Sequence, residues 1–171
     1  MGAIVPADLV PGPDGQLSAA DRHWLGQAIE LSRRCPASAS AYCVGAVLVG
    51  GDGVMLASAF SRERDPHDHA EEAALALVDP ADPRLASATL YSSLEPCRFR
   101  ASRPVPCAEL IIRAGLRRVV VAWLEPPVLA PGGGAELLRD RGVTVLEVPE
   151  LAAAARAVNA AVLGGAARAE D

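Results

Sequence analysis

The segment PCAELIIRAGLRRVVVA, residues 106–122, predicts a helix that is followed almost at once by a buried strand. Pro106 stands at the mouth of the predicted helix, residues 107–114, and Gly115 follows its end, where these two residue types are most favourable. Residues 118–123 include three consecutive valines and predict a strand. A helix that leads directly into an apolar strand is typical of an α/β fold, in which helices cover the strands.

The segments on either side extend this alternation. Residues 50–53, Gly-Gly-Asp-Gly, lie between two apolar runs and predict an antiparallel hairpin. Ser18 and Asp21 have capping-box spacing and predict the start of the first helix. The other predicted helices and strands are helices 18–34, 68–78, 136–141 and 150–163 and strands 42–49, 54–61, 88–92 and 143–148. Because the later strands alternate with helices, right-handed crossovers should cover both faces of the sheet.

The length of 171 residues is enough for one domain with a substantial core. Neither an internal repeat nor a linker marks a second domain, so we expect a single domain over residues 18–163. The proline- and glycine-rich residues 1–17 predict a flexible N-terminal tail, and residues 164–171 predict a flexible C-terminal tail.

The composition argues against several classes of protein. Apolar residues make up 51% of the chain, which is too many for a disordered protein. No apolar run reaches the ~18 residues of a membrane helix, and the first ten residues lack the pattern of a secretory signal. We therefore expect a cytoplasmic protein without a membrane partner. A net charge of −5 argues against a nucleic-acid polymer as partner, but it allows a few arginines to hold one phosphate.

The four cysteines divide into two pairs with different surroundings. Cys35 and Cys43 lie among small and apolar residues, so we interpret them as buried packing residues. Cys97 and Cys107 each follow a proline and flank an arginine-rich loop, which is an unfavourable place for a core residue. In a reducing compartment such thiols are metal ligands or nucleophiles rather than halves of disulfides.

His69, Cys97 and Cys107 together predict a catalytic zinc site. One imidazole and two thiolates leave the fourth position of a tetrahedral zinc ion open, and a water molecule there has its pKa lowered toward ~7. The predicted helix start at Cys107 favours the thiolate further. We interpret Glu71, two residues after His69, as the acid/base that moves protons between water, a ring nitrogen and the leaving amine.

Each of these residues also has a purely structural interpretation. Asp68 and Glu71 have the spacing of a capping box, and His69 could be a solvated residue at the start of a helix. Cys97 and Cys107 could be ordinary thiols. The four site residues in this order, with a proline before each cysteine, favour the metal site over these separate explanations.

The order His-x-Glu, then Pro-Cys, then a second Cys is the signature of zinc deaminases. Nine residues separate Cys97 from Cys107, and a long insertion of this kind resembles the deaminase of riboflavin biosynthesis. The similarity covers roughly residues 20–150. The segments that carry it are 94–97, 106–108 and 111–122 and, for the fungal-type branch of that family, 35–36, 44–49 and 61–63.

This resemblance implies a fold, a cofactor and an assembly. The fold would be a three-layer α/β/α cytidine-deaminase-like sandwich with a five-stranded mixed sheet. The cofactor would be Zn2+, and the assembly would be a homodimer. It also implies that the backbone N–H of Ala70 binds a ring carbonyl. The chain departs from the bacterial two-domain enzymes at residues 38–42, where they have an Asn-Pro pair, and at residues 98–103, where they have a glycine- and histidine-rich loop. These departures concern the substrate rather than the metal.

The expected substrate is a small pyrimidine-like molecule. We hypothesise hydrolytic removal of the 2-amino group from a diaminopyrimidinone that carries a phosphorylated sugar or ribityl arm. The candidate phosphate ligands are Arg62, Arg98, Arg100 and Arg103, because a guanidinium group binds phosphate oxygens bidentately. Ser93 stands at the end of a predicted strand, where the ring should lie.

Three other functions stay open at this point. The chain could deaminate another ring, such as cytidine, deoxycytidylate, guanine or an intermediate of a specialised pathway. An editor of tRNA or single-stranded DNA is less favoured, because only two Trp, two Tyr and two Phe are available for base stacking. A zinc-stabilised binding module would require a fourth protein ligand, for which His67, Cys35 and Cys43 are the candidates.

Overall fold

The computed structural model describes residues 6–166, so the expected tail segments 1–5 and 167–171 lie outside the described residues. The helices are α1 (Ala19–Ser32), α2 (Ala70–Leu75), α3 (Cys107–Arg113), α4 (Gly134–Asp140), α5 (Ala152–Val158) and α6 (Ala160–Ala166). The strands are β1 (Gly45–Val49), β2 (Met55–Phe60), β3 (Thr89–Ser92), β4 (Arg118–Val121) and β5 (Thr144–Glu147). None of the helices in this part of the chain has the length and apolar character needed to cross a bilayer.

The strands form one five-stranded mixed sheet, as expected, and their order in the sheet is β2-β1-β3-β4-β5. Strand β1 is antiparallel to both β2 and β3, whereas β3, β4 and β5 are parallel. The residues just before β1 therefore lie at the same edge of the sheet as the residues just after β3 and β4. This edge collects side chains from three separate segments.

Helices cover both faces of the sheet. Helix α1 packs on β1 and β3 and contacts α5, whereas α2 packs on β1 and β2 and contacts α3, which in turn contacts α4. Every residue of β1, β3 and β4 is buried, because both faces of these strands are covered. The result is the expected α/β/α arrangement in three layers.

Gly45, the first residue of β1, allows α1 to lie unusually close to the sheet. A Cβ atom at this position would overlap the carbonyl oxygen of Ala28 in α1. Glycine is therefore required here by the close approach of two backbones rather than by a special backbone dihedral angle.

Asp21 has a second role besides the predicted capping box. Its backbone N–H donates to Ser18 Oγ and its Oδ2 accepts from the Ser18 N–H, which confirms the box. The same carboxylate is fully buried, and it accepts from the Tyr91 hydroxyl at 2.7 Å and from Arg118 at 2.7 and 2.9 Å. This network joins α1 to β3 and β4.

The prediction of one continuous closing helix over residues 150–163 is wrong, since two short helices, α5 and α6, meet at Asn159. The buried side chain of Asn159 accepts from Cys43 N at 2.7 Å and donates to Cys43 O at 3.0 Å. These bonds satisfy backbone groups in the segment before β1. The predicted strand 42–49 therefore began too early, since β1 begins at Gly45. A side chain held in this way competes with the regular helix.

Residues 6–17 contact the domain through hydrogen bonds and through Leu17, which packs against the core. The Trp24 indole donates to Leu9 O at 2.8 Å, and Arg118 donates to Gln16 O at 2.8 Å. The described part of the predicted N-terminal tail therefore lies against α1 and β4.

Candidate active site

Three segments bring the predicted metal ligands together. His69 is the residue before α2, Cys107 is the first residue of α3, and Cys97 lies in the loop that follows β3. The backbone N–H of Cys107 donates to Cys97 Sγ at 3.3 Å, and the N–H of Ala108 donates to Cys97 O at 3.1 Å. The start of α3 thus fixes the loop that carries Cys97.

The three ligand atoms have the spacing that a zinc ion requires. His69 Nδ1 lies 3.4 Å from Cys97 Sγ and 3.5 Å from Cys107 Sγ, and all three atoms lie within 4.8 Å of one another. A tetrahedral zinc ion with bonds of roughly 2.1 Å to nitrogen and 2.3 Å to sulfur separates these ligands by roughly 3.6 Å. The donor set and its geometry therefore fit zinc.

No fourth protein ligand joins this group among residues 6–166. Cys35 and Cys43 pack with Phe60 in a separate buried cluster, which agrees with their interpretation as packing residues. The His67 ring faces Asp65 at 3.3 Å instead of the thiolates. An open fourth position is typical of catalytic zinc sites and differs from the closed sites of structural zinc modules.

Without a metal ion, the surroundings favour the thiolate form of Cys97 and the protonated form of Cys107. A hydrogen bond from the Cys107 thiol, together with His69, lowers the pKa of Cys97 to about 4 even though burial opposes this. The hydrogen bond that Cys107 donates to Cys97, together with burial, raises the pKa of Cys107. Burial lowers the pKa of His69, but its hydrogen bond to Cys97 and the nearby charges of Cys97 and Glu71 outweigh burial, so the pKa is raised. Zinc would hold both sulfurs as thiolates and the imidazole neutral.

Glu71 lies beside the metal ligands with its side chain buried. The residue is 3% exposed, and burial raises the pKa of its carboxyl group. Ser92 Oγ donates to Glu71 Oε1 at 2.8 Å, which orients the carboxylate. His69, not Asp68, precedes the first residue of α2, and no side chain caps that helix. The capping-box explanation of Glu71 is therefore wrong.

A cavity of about 340 Å³ opens over these residues. We call it the active-site pocket, and its wall includes His69, Glu71, Cys97, Tyr42, Val44, Ser61, Arg62, Leu94, Phe99, Arg100, Glu125 and Leu129. Its volume is in the range of small-molecule sites. A pocket that reaches both the open metal position and a buried carboxylate can hold a small ring against both groups.

Comparison with known proteins identifies the family. Residues 18–123 match the model of the cytidine and deoxycytidylate deaminase zinc-binding region, and this segment contains the three predicted metal ligands and Glu71. The chain belongs to this deaminase family.

Three relatives illustrate the likeness. A Schizosaccharomyces pombe diaminohydroxyphosphoribosylamino-pyrimidine deaminase is 38% identical over 127 residues, which are 72% of this chain and 31% of that protein. A Buchnera aphidicola protein of the same name is 30% identical over 126 residues, 73% of this chain and 82% of that protein. The structure of Acinetobacter baumannii RibD, form 2, is 31% identical with a TM-score of 0.74, and the match covers 85% of this chain and 40% of that one. The chain thus spans about a third of the fission yeast relative.

Two of the four arginines predicted to bind phosphate line the pocket, but both already bind protein acceptors. Arg62, in a left-handed conformation at φ 60°, donates to Tyr42 O at 3.1 Å and Pro36 O at 2.7 Å. The buried Arg100 side chain contacts Glu72 at 2.9 Å and donates to His67 O at 2.6 Å. Both guanidinium groups therefore shape the wall of the pocket.

The other two predicted arginines lie outside the lining of the pocket. Arg103 pairs with Asp68 at 2.7 Å and with Glu72 at 3.3 Å. Arg98 lies 3.6 Å from Glu136, and its side chain is 37% exposed. Of the four, Arg98 is the arginine whose side chain can most easily change partners.

Ser93 and Ala70, the other two predicted substrate contacts, lie outside the lining of the pocket. Ser93 Oγ accepts from the backbone N–H of Gly45 at 3.1 Å. Ala70 is the buried first residue of α2. The serine that reaches the catalytic centre is Ser92, the neighbour of the predicted one.

Two residues that the sequence analysis left without a role support the site. Ser92 orients Glu71, and Glu95 accepts from Glu125 N at 2.7 Å and from Ala135 N at 2.6 Å. Glu95 therefore ties the loop after β4 and the start of α4 to the segment that carries Cys97. The position of Glu95 next to Pro96 and Cys97 could have indicated a role in the site, but the sequence does not show which backbone groups it binds.

Proposed function

We propose that this chain is a zinc-dependent hydrolytic deaminase of a pyrimidine-type ring. The observation that carries the proposal is the buried Glu71 carboxylate beside three clustered side chains that could hold a metal ion; Glu71 and two of the three line one pocket. His69, Cys97 and Cys107 would hold the zinc ion. Zinc held there would supply a Lewis acid that makes water nucleophilic at neutral pH.

Glu71 is the group that moves protons in this proposal. Its carboxylate accepts a proton from the attacking water and delivers it to a ring nitrogen, while the water oxygen bonds to the carbon that carries the amine. The carbon–nitrogen bond then breaks, and the amine leaves with the second proton of the water as ammonia. The balance is one water consumed and one ammonia released for each amine replaced by a carbonyl oxygen.

The proposed substrate is a diaminopyrimidinone with a phosphorylated ribosyl or ribityl arm. Two relatives, 38% and 30% identical to this chain, carry the name diaminohydroxyphosphoribosylamino-pyrimidine deaminase. Arg98 is the proposed phosphate ligand, since its ion pair at 3.6 Å is longer than the ion pairs of Arg100 and Arg103. The bonds of Arg62, Arg100 and Arg103 to the protein favour a role for them in shaping the pocket.

A substrate panel scored by ammonia release tests this function. We expect turnover of the diaminopyrimidinone ribosyl phosphate and little with cytidine, deoxycytidylate or guanine. Equal rates with the phosphorylated and dephosphorylated forms would remove the arginines from phosphate binding. Faster turnover of one of the other rings would assign the chain to that substrate, and no ammonia from any of them would contradict the proposal.

The proposed assembly and location complete the picture. We propose a single deaminase domain over residues 18–163, acting on a small molecule, as a homodimer in the cytoplasm without a nucleic-acid polymer as partner. Light scattering on the purified protein measures the dimer directly. A mass of one chain at micromolar concentration would contradict it.

A further inference from the structure

Two polar side chains of the active-site pocket have hydrogen-bonding capacity that the protein does not use. The Tyr42 hydroxyl is buried and has no partner among residues 6–166. The half-buried Glu125 side chain forms neither a hydrogen bond nor an ion pair within the same part of the chain. A buried hydroxyl without a partner is costly, so a ligand that supplies one gains binding free energy.

The neighbouring polar groups of the wall are already occupied. Ser61 Oγ donates to Val44 O at 3.4 Å, and the Ser102 hydroxyl accepts from Arg100 at 3.2 Å. Asp68 pairs with Arg103 at 2.7 Å. Apart from the catalytic Glu71, the unused capacity of this wall is therefore concentrated in Tyr42 and Glu125.

Both residues are held at the same edge of the sheet. Tyr42 stands before β1 and Glu125 stands after β4, and these two ends meet at that edge. The Tyr42 ring packs edge-on against Trp123, with 5.9 Å between the ring centroids. The Glu125 backbone donates to Glu95 at 2.7 Å. Both side chains thus start from fixed positions, as a specific binding site requires.

Tyr42 and Glu125 line the same pocket as Glu71, and the pKa shifts of the two residues agree with this closeness. Burial raises the pKa of Tyr42, and the charge of Glu125 raises it further. Burial and the charges of Cys97, Glu95 and Glu71 raise the pKa of Glu125 to about 7. A ring held at Glu71 is therefore within reach of the wall that carries Glu125.

We infer that Glu125 and Tyr42 are specificity-determining residues that bind the part of the ring away from the leaving amine. Glu125 accepts hydrogen bonds from N–H groups of the ring substituents, and the Tyr42 hydroxyl donates to a ring oxygen or nitrogen. The inference rests on the proposed deaminase function, which it deepens. A carboxylate has two oxygens and binds two adjacent N–H donors better than one.

This arrangement selects a class of substrate. A pyrimidinone with nitrogen substituents on two adjacent ring carbons, in addition to the leaving amine, offers Glu125 two donors. Cytosine and uracil carry no nitrogen on those carbons and leave the carboxyl group unpaired. A site built around a polar partner rejects analogues that lack it much more strongly than an apolar site does.

Binding of two ring compounds without a leaving amine tests the inference separately from catalysis. Calorimetry with the zinc-loaded protein compares 5,6-diaminouracil, which carries the two adjacent amines, with uracil, which lacks them. We expect 5,6-diaminouracil to bind more tightly, and Glu125→Gln to remove about 10- to 100-fold of this preference. The matched control is Glu30→Gln, an exposed glutamate of α1 that pairs with Arg33, and it should keep the full preference.

Tyr42→Phe separates a binding role from a structural one. The free variant should melt at the same temperature as the parent or higher, because it loses a buried hydroxyl that has no partner, while 5,6-diaminouracil binds it more weakly. A lower melting temperature with unchanged binding would assign Tyr42 to the structure alone.

Two results distinguish the inference from the proposed function. If the parent protein releases ammonia but Glu125→Gln keeps the full preference for 5,6-diaminouracil, the inference is overturned and the deaminase function stands. If the parent protein releases no ammonia from any ring yet loses the binding preference on Glu125→Gln, the function is overturned and the assignment of this wall stands.

Discussion

Ser92, the last residue of β3, donates a hydrogen bond of 2.8 Å to the buried carboxylate of Glu71 in α2. The hydroxyl group is fully buried and holds the proposed acid/base on the sheet side of the pocket. This contact lowers the pKa of Glu71 against the larger effect of burial, which raises it. Ser92 is thus a positioning residue whose hydrogen bond also favours the charged form of its partner.

Ser92→Ala should shift the pH dependence of catalysis. Without the Ser92 hydroxyl, the pKa of Glu71 rises, so the carboxylate that accepts the proton is populated only at higher pH. We expect the acid limb of the kcat/KM profile to move to higher pH and kcat to fall. Ser87→Ala, at an exposed serine remote from Glu71, is the control. An unchanged acid limb would show that Ser92 does not tune Glu71.

Glu71→Gln should abolish proton transfer while it leaves the metal in place. The amide keeps the shape of the side chain and can still contact Ser92, but it accepts no proton from water. We expect kcat to fall by about 10²–10⁴-fold, with one zinc per chain by metal analysis. Loss of zinc together with activity would instead make Glu71 a metal ligand.

The two cysteine pairs should respond differently to substitution. Cys107→Ser removes a sulfur ligand, so bound zinc and thermal stability should both decrease, and a chelator should lower the melting temperature of the parent protein in the same way. Cys35→Ser changes a thiol in the separate cluster with Phe60 and should keep one zinc per chain. Equal zinc loss in both variants would contradict the division of the cysteines.

Asp21→Asn should destabilise the fold, because it leaves Arg118 buried without its counter-charge. Removal of one partner from a buried ion pair costs about 3–5 kcal/mol, which urea denaturation can measure. Asp140→Asn, at an exposed position at the end of α4, should change the free energy of unfolding by less than about 0.5 kcal/mol. A loss in both variants, or in neither, would contradict this role of Asp21.

The same carboxylate should make stability depend on pH at the acid end. Burial raises the pKa of Asp21, but the bonds from Arg118, Tyr91 and Ser18 outweigh burial, so the folded pKa lies below the unfolded value. Its stabilising contribution is complete above the unfolded value of about 3.9 and is lost as the pH falls through the folded pKa. Asp21→Asn should flatten this part of the curve of unfolding free energy against pH.

Local patterns in the sequence were enough for the type and order of most elements. The segment that begins at Pro106 and the hairpin at residues 50–53 both form as predicted, because turn residues and runs of valine act over a few positions. The closing helix was predicted without its break, since the partner of Asn159 is Cys43, 116 residues away. No local pattern reports a contact of that kind.

The identities of the proposed metal ligands were also readable from the sequence, because imidazole and thiol groups have few other uses in a polar loop. The order of His69, Glu71, Cys97 and Cys107 therefore predicted the zinc site and indicated the deaminase family before any coordinates. Tertiary structure alone decided which serine reaches Glu71 and which arginines are bound to protein acceptors. It also left Tyr42 and Glu125 facing the pocket with unused hydrogen-bonding capacity. These features depend on strand register and on charge pairs between distant segments. Neither can be deduced from the spacing of residues along the chain.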